Sequence, residues 1–391
     1  MITELERKLA ACLVGLVAAW PMHAAPQADP RAAAFTLEQE GKTAEAEAAW
    51  AALARQYPSN PEPYAHLGLL EARQAHYTEA IANYRKAMAL APTMPGLRGN
   101  LGLAYYQSGD YRDAIRAFDP LLKAQPGDQR LTILIGLSHY GINEFAAAIP
   151  YLKQASERDP QNLTLLLTLA HSCLFANQYQ CVLDSYHRII ALNAESAEAD
   201  MLVGEALDEM KDHLGAIREF RAAIAANPKE PNAHFGLGYL LWTKGQYPEA
   251  AKEFQAEVDN DPHHLQAIYY LADSEIQMNQ EDAAKPLLEQ LVKAVPANAK
   301  AHLDLGIVLA DEGEKDGALH ELETAAKLSP KDVNVHWRLG RLYRSMGKMA
   351  EAKVEFEKAK ALNKSEDERL LKVMSKIPAG GQKNGSSADA K

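Results

Sequence analysis

The residues of this 391-residue chain whose types could do chemistry are its cysteines, its histidines and one run of arginines. Cys173 and Cys181 lie close in sequence and are open to two readings, a disulfide or two buried thiols acting as small hydrophobes. His263 and His264 are adjacent, but neither has a partner carboxylate at ligand spacing, so no metal is implied. The chain carries no glycine-rich phosphate loop with a lysine, no His-Glu-x-x-His helix, no Gly-x-Ser-x-Gly elbow and no Cys-x-x-Cys pair. A non-enzymatic protein without a cofactor is therefore expected. Arg338, Arg341 and Arg344 follow i, i+3, i+6 spacing and share one face of a helix. With Trp337 they form a basic, aromatic step suited to steering and holding charge.

The elements that must position these residues recur every 34 residues, from about Gln27 to about Glu366. Steps of 34 from Gly68 meet Gly102, Gly136, Ala170, Gly204, Gly238, Ala272, Gly306 and Gly340. A second series, twelve residues further on, meets Ala80, Ala114, Ala148, Val182, Ala216, Ala250, Ala284, Ala318 and Ala352. Small residues at these two places let the backbones of an antiparallel helix pair touch. Bulky residues follow, among them Trp50, Tyr84, Phe118, Phe220, Phe254 and Phe356. Prolines such as Pro58, Pro92, Pro126 and Pro160 close most units, because proline cannot donate the hydrogen bond that would continue a helix. Each unit reads as helix, turn, helix, proline stop, and a unit too short to fold alone makes a solenoid. Cys173 then falls late in a first helix and Cys181 early in the second, across the turn.

Segments such as Tyr64-Ala-His-Leu-Gly-Leu-Leu-Glu, followed by Tyr77-Thr-Glu-Ala-Ile, Tyr84 and Pro92, closely resemble the tetratricopeptide repeat family. The resemblance implies an all-α, right-handed superhelix of about ten helix pairs. The units begin at 27, 61, 95, 129, 163, 197, 231, 265, 299 and 333, with a capping helix over 367–377 and a disordered tail over 378–391. It further implies that the first helices line a concave wall. Carried onto this sequence, that wall includes Tyr106, Tyr140, His171 and Phe175 in one stretch and Phe235, Tyr239, Trp242 and Tyr269 in another. Trp337 and the three arginines follow near the end, and Glu198, Glu205, Asp208 and Glu209 form an acidic step between. His234, His302 and His336 occupy a place where the family often has tryptophan, which implies packing. The carboxylate clamp of chaperone-binding relatives is absent from the unit at 61, where Ala65 and Leu69 hold the corresponding places.

A formal net charge of −11 argues against nucleic acid as a partner. Glu6-Arg7-Lys8 precedes an apolar run from Leu9 to Trp20 with Ala24-Ala25 behind it, the pattern of a cleavable leader over 1–25. That run is too short for a membrane span, so a periplasmic or extracellular protein is expected; without cleavage it would be cytoplasmic. Cys12 stands before the apolar run rather than after it, which disfavours lipidation. The function expected is a scaffold whose groove binds a partner protein or peptide. The alternative is a glycan-handling accessory of an envelope polysaccharide export system, with Tyr106, Tyr140, Tyr239 and Trp242 stacked on sugar rings.

Overall fold

The computed structural model describes residues 29–374. The expected leader, Cys12, residues 375–377 of the expected capping helix and the tail from 378 lie outside the described residues. The described residues form twenty helices and no strand. They divide into two units at Glu230/Pro231. The first unit holds α1 (Pro30–Gln39), α2 (Thr43–Gln56), α3 (Pro61–Arg73), α4 (Tyr77–Leu90), α5 (Leu97–Ser108), α6 (Tyr111–Ala124), α7 (Gln129–Gly141), α8 (Phe145–Arg158), α9 (Leu163–Phe175), α10 (Tyr179–Leu192), α11 (Ala197–Glu209) and α12 (His213–Ala226). The second holds α13 (Ala233–Thr243), α14 (Tyr247–Asn260), α15 (Leu265–Gln277), α16 (Glu281–Ala294), α17 (Ala299–Asp311), α18 (Lys315–Leu328), α19 (Val333–Ser345) and α20 (Met349–Met374). Both units are α-solenoids in which each odd-numbered helix pairs with the next.

Each first helix needs a partner for its free N–H groups. Asn60, Asp128, Asn162, Ser196, Asn298 and Asp332 supply it, each accepting from a backbone N–H in the first turn. Met94 and Glu230 fall in the same register and have no short side-chain oxygen to offer. There the helices start two residues later, behind left-handed Gly96 (φ 75°) and Asn232 (φ 65°). At α13 a side chain from the neighbouring helix replaces the cap. Glu257 of α14, 2% exposed, accepts from the N–H groups of Asn232 and Phe235, both at 3.0 Å.

The turn inside every pair uses one left-handed residue, at 41, 75, 109, 143, 177, 211, 245, 279, 313 and 347, with glycine at five of these places and asparagine at three. The small residue in each first helix lets the bulky residue sixteen positions later press against the backbone. A Cβ on Gly204 would lie 2.7 Å from the Phe220 ring. In the second unit the core is continuous, from Ile268 and Ala272 through Leu288, Leu305 and Leu322 to Leu339. Burial of such side chains, at about 25 cal/mol per Å² of apolar surface, is the main stabilising term.

The end of the repeat array differs from the expectation of a separate capping helix. Residues 367–374 continue α20, which runs unbroken for 26 residues. Lys364 stands where most units have a proline, so nothing in the backbone stops the helix there.

Candidate functional site

In the second unit, α13 projects Phe235, Tyr239 and Trp242 at i, i+4 and i+7, with ring centroids 6.3 and 6.2 Å apart along the row. Tyr270 of α15 fixes the row from the side, lying 6.0 Å from Phe235, 5.3 Å from Tyr239 and 5.1 Å from Trp242, the last two edge-to-face. The Trp242 indole Nε1–H donates to Asp273 at 2.8 Å, so its polar end is already satisfied. Next on the same face comes Tyr269, whose hydroxyl reaches Asp304 of α17 at 3.4 Å while Lys300 bonds both carboxylate oxygens at 3.1 Å. Burial, with Asp304 beside it, pushes the Tyr269 hydroxyl up to about 12. All of Phe235, Tyr239, Trp242 and Tyr269 stay partly exposed.

Farther along this unit, α19 places Trp337 at the surface, 43% exposed. The guanidinium carbons of Arg341 and Arg338 lie 4.9 and 5.4 Å from the Trp337 ring centre, and that of Arg344 lies 5.8 Å from the Phe356 ring. These are cation–π distances.

In the first unit, Phe175 of α9 is 56% exposed and stacks on Phe145 of α8 at 4.7 Å. Tyr140 of α7 meets Phe145 edge-on at 5.6 Å. His171, 6.1 Å from Phe175, pairs through Nε2 with Glu198 at 2.9 Å, while its Nδ1 is buried without a partner. Burial raises the Glu205 carboxyl above the ordinary range, as it does Glu230. Cys173 and Cys181 are joined, with Cα atoms 5.8 Å apart, tying the end of α9 to the start of α10.

The histidines of the tryptophan-like place are bridges. His302 meets Glu321 at 2.5 Å and the carbonyl of Pro296 at 3.1 Å, and His336 meets Glu355 at 2.6 Å and the carbonyl of Pro330 at 3.0 Å. Each thus links its own second helix to the proline stop of the preceding repeat. His264 accepts from the N–H of Ala267 through Nδ1 and meets Asn232 through Nε2, which makes it a helix cap. Among the described residues no three His, Cys, Asp or Glu side chains are placed to hold a metal ion. No described helix is long and apolar enough to cross a membrane.

Family profiles described as tetratricopeptide repeat match residues 31–95, 100–163 and 204–264, and one described as a tetratricopeptide repeat-like domain matches 243–376. The chain belongs to the tetratricopeptide repeat family. A curated relative, the small glutamine-rich tetratricopeptide repeat-containing protein 2 of Mycosarcoma maydis, is 27% identical over 107 residues, 27% of this chain. This chain spans only 30% of that relative's length. Among solved structures, YrrB, titled a TPR protein with an unusual peptide-binding site, is 20% identical, with a TM-score of 0.44 over 49% of this chain and 97% of that one. MamA from Desulfovibrio magneticus RS-1 is 23% identical, with a TM-score of 0.41 over 44% and 97%. The APC/C Cut9–Hcn1 assembly is 17% identical, with a TM-score of 0.46 over 71% of this chain and 55% of that one.

Against the residues named from the tetratricopeptide pattern, one correction is needed. Tyr106 is 3% exposed, packed edge-on against Tyr111 at 5.4 Å, and offers no surface to a ligand. It lies on a first helix, but the second helix of its own repeat covers it. Tyr270 and Phe145 were missed, although they hold the two aromatic clusters together. Tyr270 directly follows a wall residue and turns toward the preceding first helix, so repeat offset alone assigns it to packing. Phe145 belongs to a second helix, outside any wall drawn from first helices.

Proposed function

We propose that this tetratricopeptide repeat protein is a non-enzymatic scaffold that holds an extended or helical segment of a partner protein against its first helices. The observation that carries this reading is the Phe235–Tyr239–Trp242 row. Its rings are partly exposed, braced by Tyr270, and the one polar atom of Trp242 is satisfied by Asp273. Such a row gives a partner apolar area to bury with little side-chain entropy left to lose on binding. Export belongs to the same reading and is supported by the apolar run from Leu9 to Trp20 ahead of Ala24-Ala25.

Selection of random peptides displayed on phage, followed by calorimetric titration of the enriched ones, tests it. Trp242→Ala is expected to weaken those peptides by about 2 kcal/mol, roughly thirtyfold, while circular dichroism stays helical. Enrichment that is equal on wild type and on Trp242→Ala, with equal affinities, would remove the row as the working surface.

A further inference from the structure

We propose that α19 is the docking site for an acidic segment of a partner protein, whose carboxylates sit on Arg338, Arg341 and Arg344 while an apolar side chain lies on Trp337. This rests on the scaffold reading and names the chemistry of one part of the bound segment.

Three observations carry it. First, the guanidinium groups of Arg338, Arg341 and Arg344 make no hydrogen bond or ion pair with any other described residue; what holds them are the rings of Trp337 and Phe356. Elsewhere in this unit Lys285 is matched by Glu312 and Glu314, and Lys300 by Asp304. Second, Arg338 Nε is buried without an acceptor, and Arg338 and Arg341 both line a cleft of about 120 Å³ between α17 and α19. Asp311 also lines that cleft but bonds to neither arginine, which leaves two guanidiniums against one carboxylate there. A buried guanidinium N–H without an acceptor is unfavourable, and an incoming carboxylate removes the penalty. Third, exposed aromatic surface and unmatched positive charge coincide on one helix of a chain whose net charge is −11. Charge complementarity therefore selects an acidic occupant at this place and repels it elsewhere.

Neither stretch outside the described residues supplies that charge. Residues 375–391 contain Lys376, Lys383 and Lys391 against Asp389, and residues 1–28 contain Glu4 and Glu6 against Arg7 and Lys8. A partner segment is the occupant that fits.

The test uses the full chain and a fluorescein-labelled peptide of alternating glutamate and leucine with one central phenylalanine. Its twin has glutamine for every glutamate, and fluorescence anisotropy is read at low and high salt. The glutamate peptide should bind about tenfold more tightly than its twin at low salt and lose that margin as salt rises. Arg341→Gln with Arg344→Gln should abolish the margin. Lys252→Gln with Lys293→Gln, an equal loss of charge on exposed faces of α14 and α16, should keep it. Trp337→Ala should weaken both peptides alike. The proposal falls if the two peptides bind equally, or if the lysine pair costs as much as the arginine pair, which would mean general attraction. It also falls if sedimentation of the peptide-free protein shows a self-associated species that the arginine pair dissolves, because the occupant is then a second copy. Loss of this margin with the Trp242→Ala effect intact would leave the scaffold reading standing.

Discussion

At the scale of single residues, two places show the chain working against its own chemistry. Eight of the ten left-handed turn positions hold glycine or asparagine, but Ala75 (φ 61°) and Lys211 (φ 67°) carry ordinary side chains there. An L-residue in that conformation costs about 1–2 kcal/mol, and glycine returns part of the gain through its freer unfolded state. Ala75→Gly and Lys211→Gly should each stabilise the protein by about 0.5–1 kcal/mol, read as a higher urea midpoint. Gly109→Ala, at φ 84° in the same register, should lower it. Glu205 is the second place. Burial raises its carboxyl above the unfolded value, with Asp208 and Glu209 adding to the shift and His171 opposing it. The unfolded chain therefore releases this proton first as pH rises, so the group costs stability above its folded pKa and nothing below its unfolded one. Glu205→Gln should accordingly stabilise at pH 7, with the gain shrinking as pH falls through the carboxylate range. A gain that persists undiminished at low pH would point to packing instead.

At the scale of elements, helix pairs were legible because their signals repeat. A glycine that must touch a ring sixteen residues later, and a proline that must stop a second helix, return every 34 residues, so an error in one unit is corrected by the next. Details carried by one unit alone were not legible. The late start of α13 follows from Glu230 in a cap position, but the buried Glu257 that replaces the cap comes from another helix, and spacing within α13 gives no sign of it. Tyr106 was misread for a related reason, since first-helix offset does not reveal that Tyr111 covers it. The α9–α10 pair is stapled by Cys173 and Cys181, eight residues apart. A loop of that length restrains the unfolded chain by about 2.5 kcal/mol in the chain-entropy treatment. Cys173→Ser with Cys181→Ser should lower stability by up to that amount, and both thiols of the native protein should resist alkylation until reduced. Ready alkylation without reductant would remove the staple.

At the scale of the whole molecule, successive helices pack on one another within each unit, and first helices such as α9 and α11, or α17 and α19, also meet. Stability in such an array is close to a sum over repeats and their nearest neighbours. Gly204→Leu would drive its side chain into the Phe220 ring, which overpacking makes worth about 1–3 kcal/mol or more. Amide exchange should then quicken in α11, α12 and their neighbours while α3 to α6 stay protected; uniform loss would mean that the array is one cooperative block. The same modularity gives the exposed faces their independence. An aromatic row on α13, a basic and aromatic step on α19 and an acidic, aromatic face around α9 sit on a scaffold that tolerates changes at each.

The central claim is that a partner segment lies along the first helices, and a photo-crosslinker tests it most directly. Benzoylphenylalanine in place of Tyr239 on α13, and separately in place of exposed Lys252 on α14, would be irradiated with a selected peptide bound. The account predicts a covalent adduct from position 239 and none from position 252. Adducts from 252 with none from 239 would contradict it, and would place the working surface on the second helices.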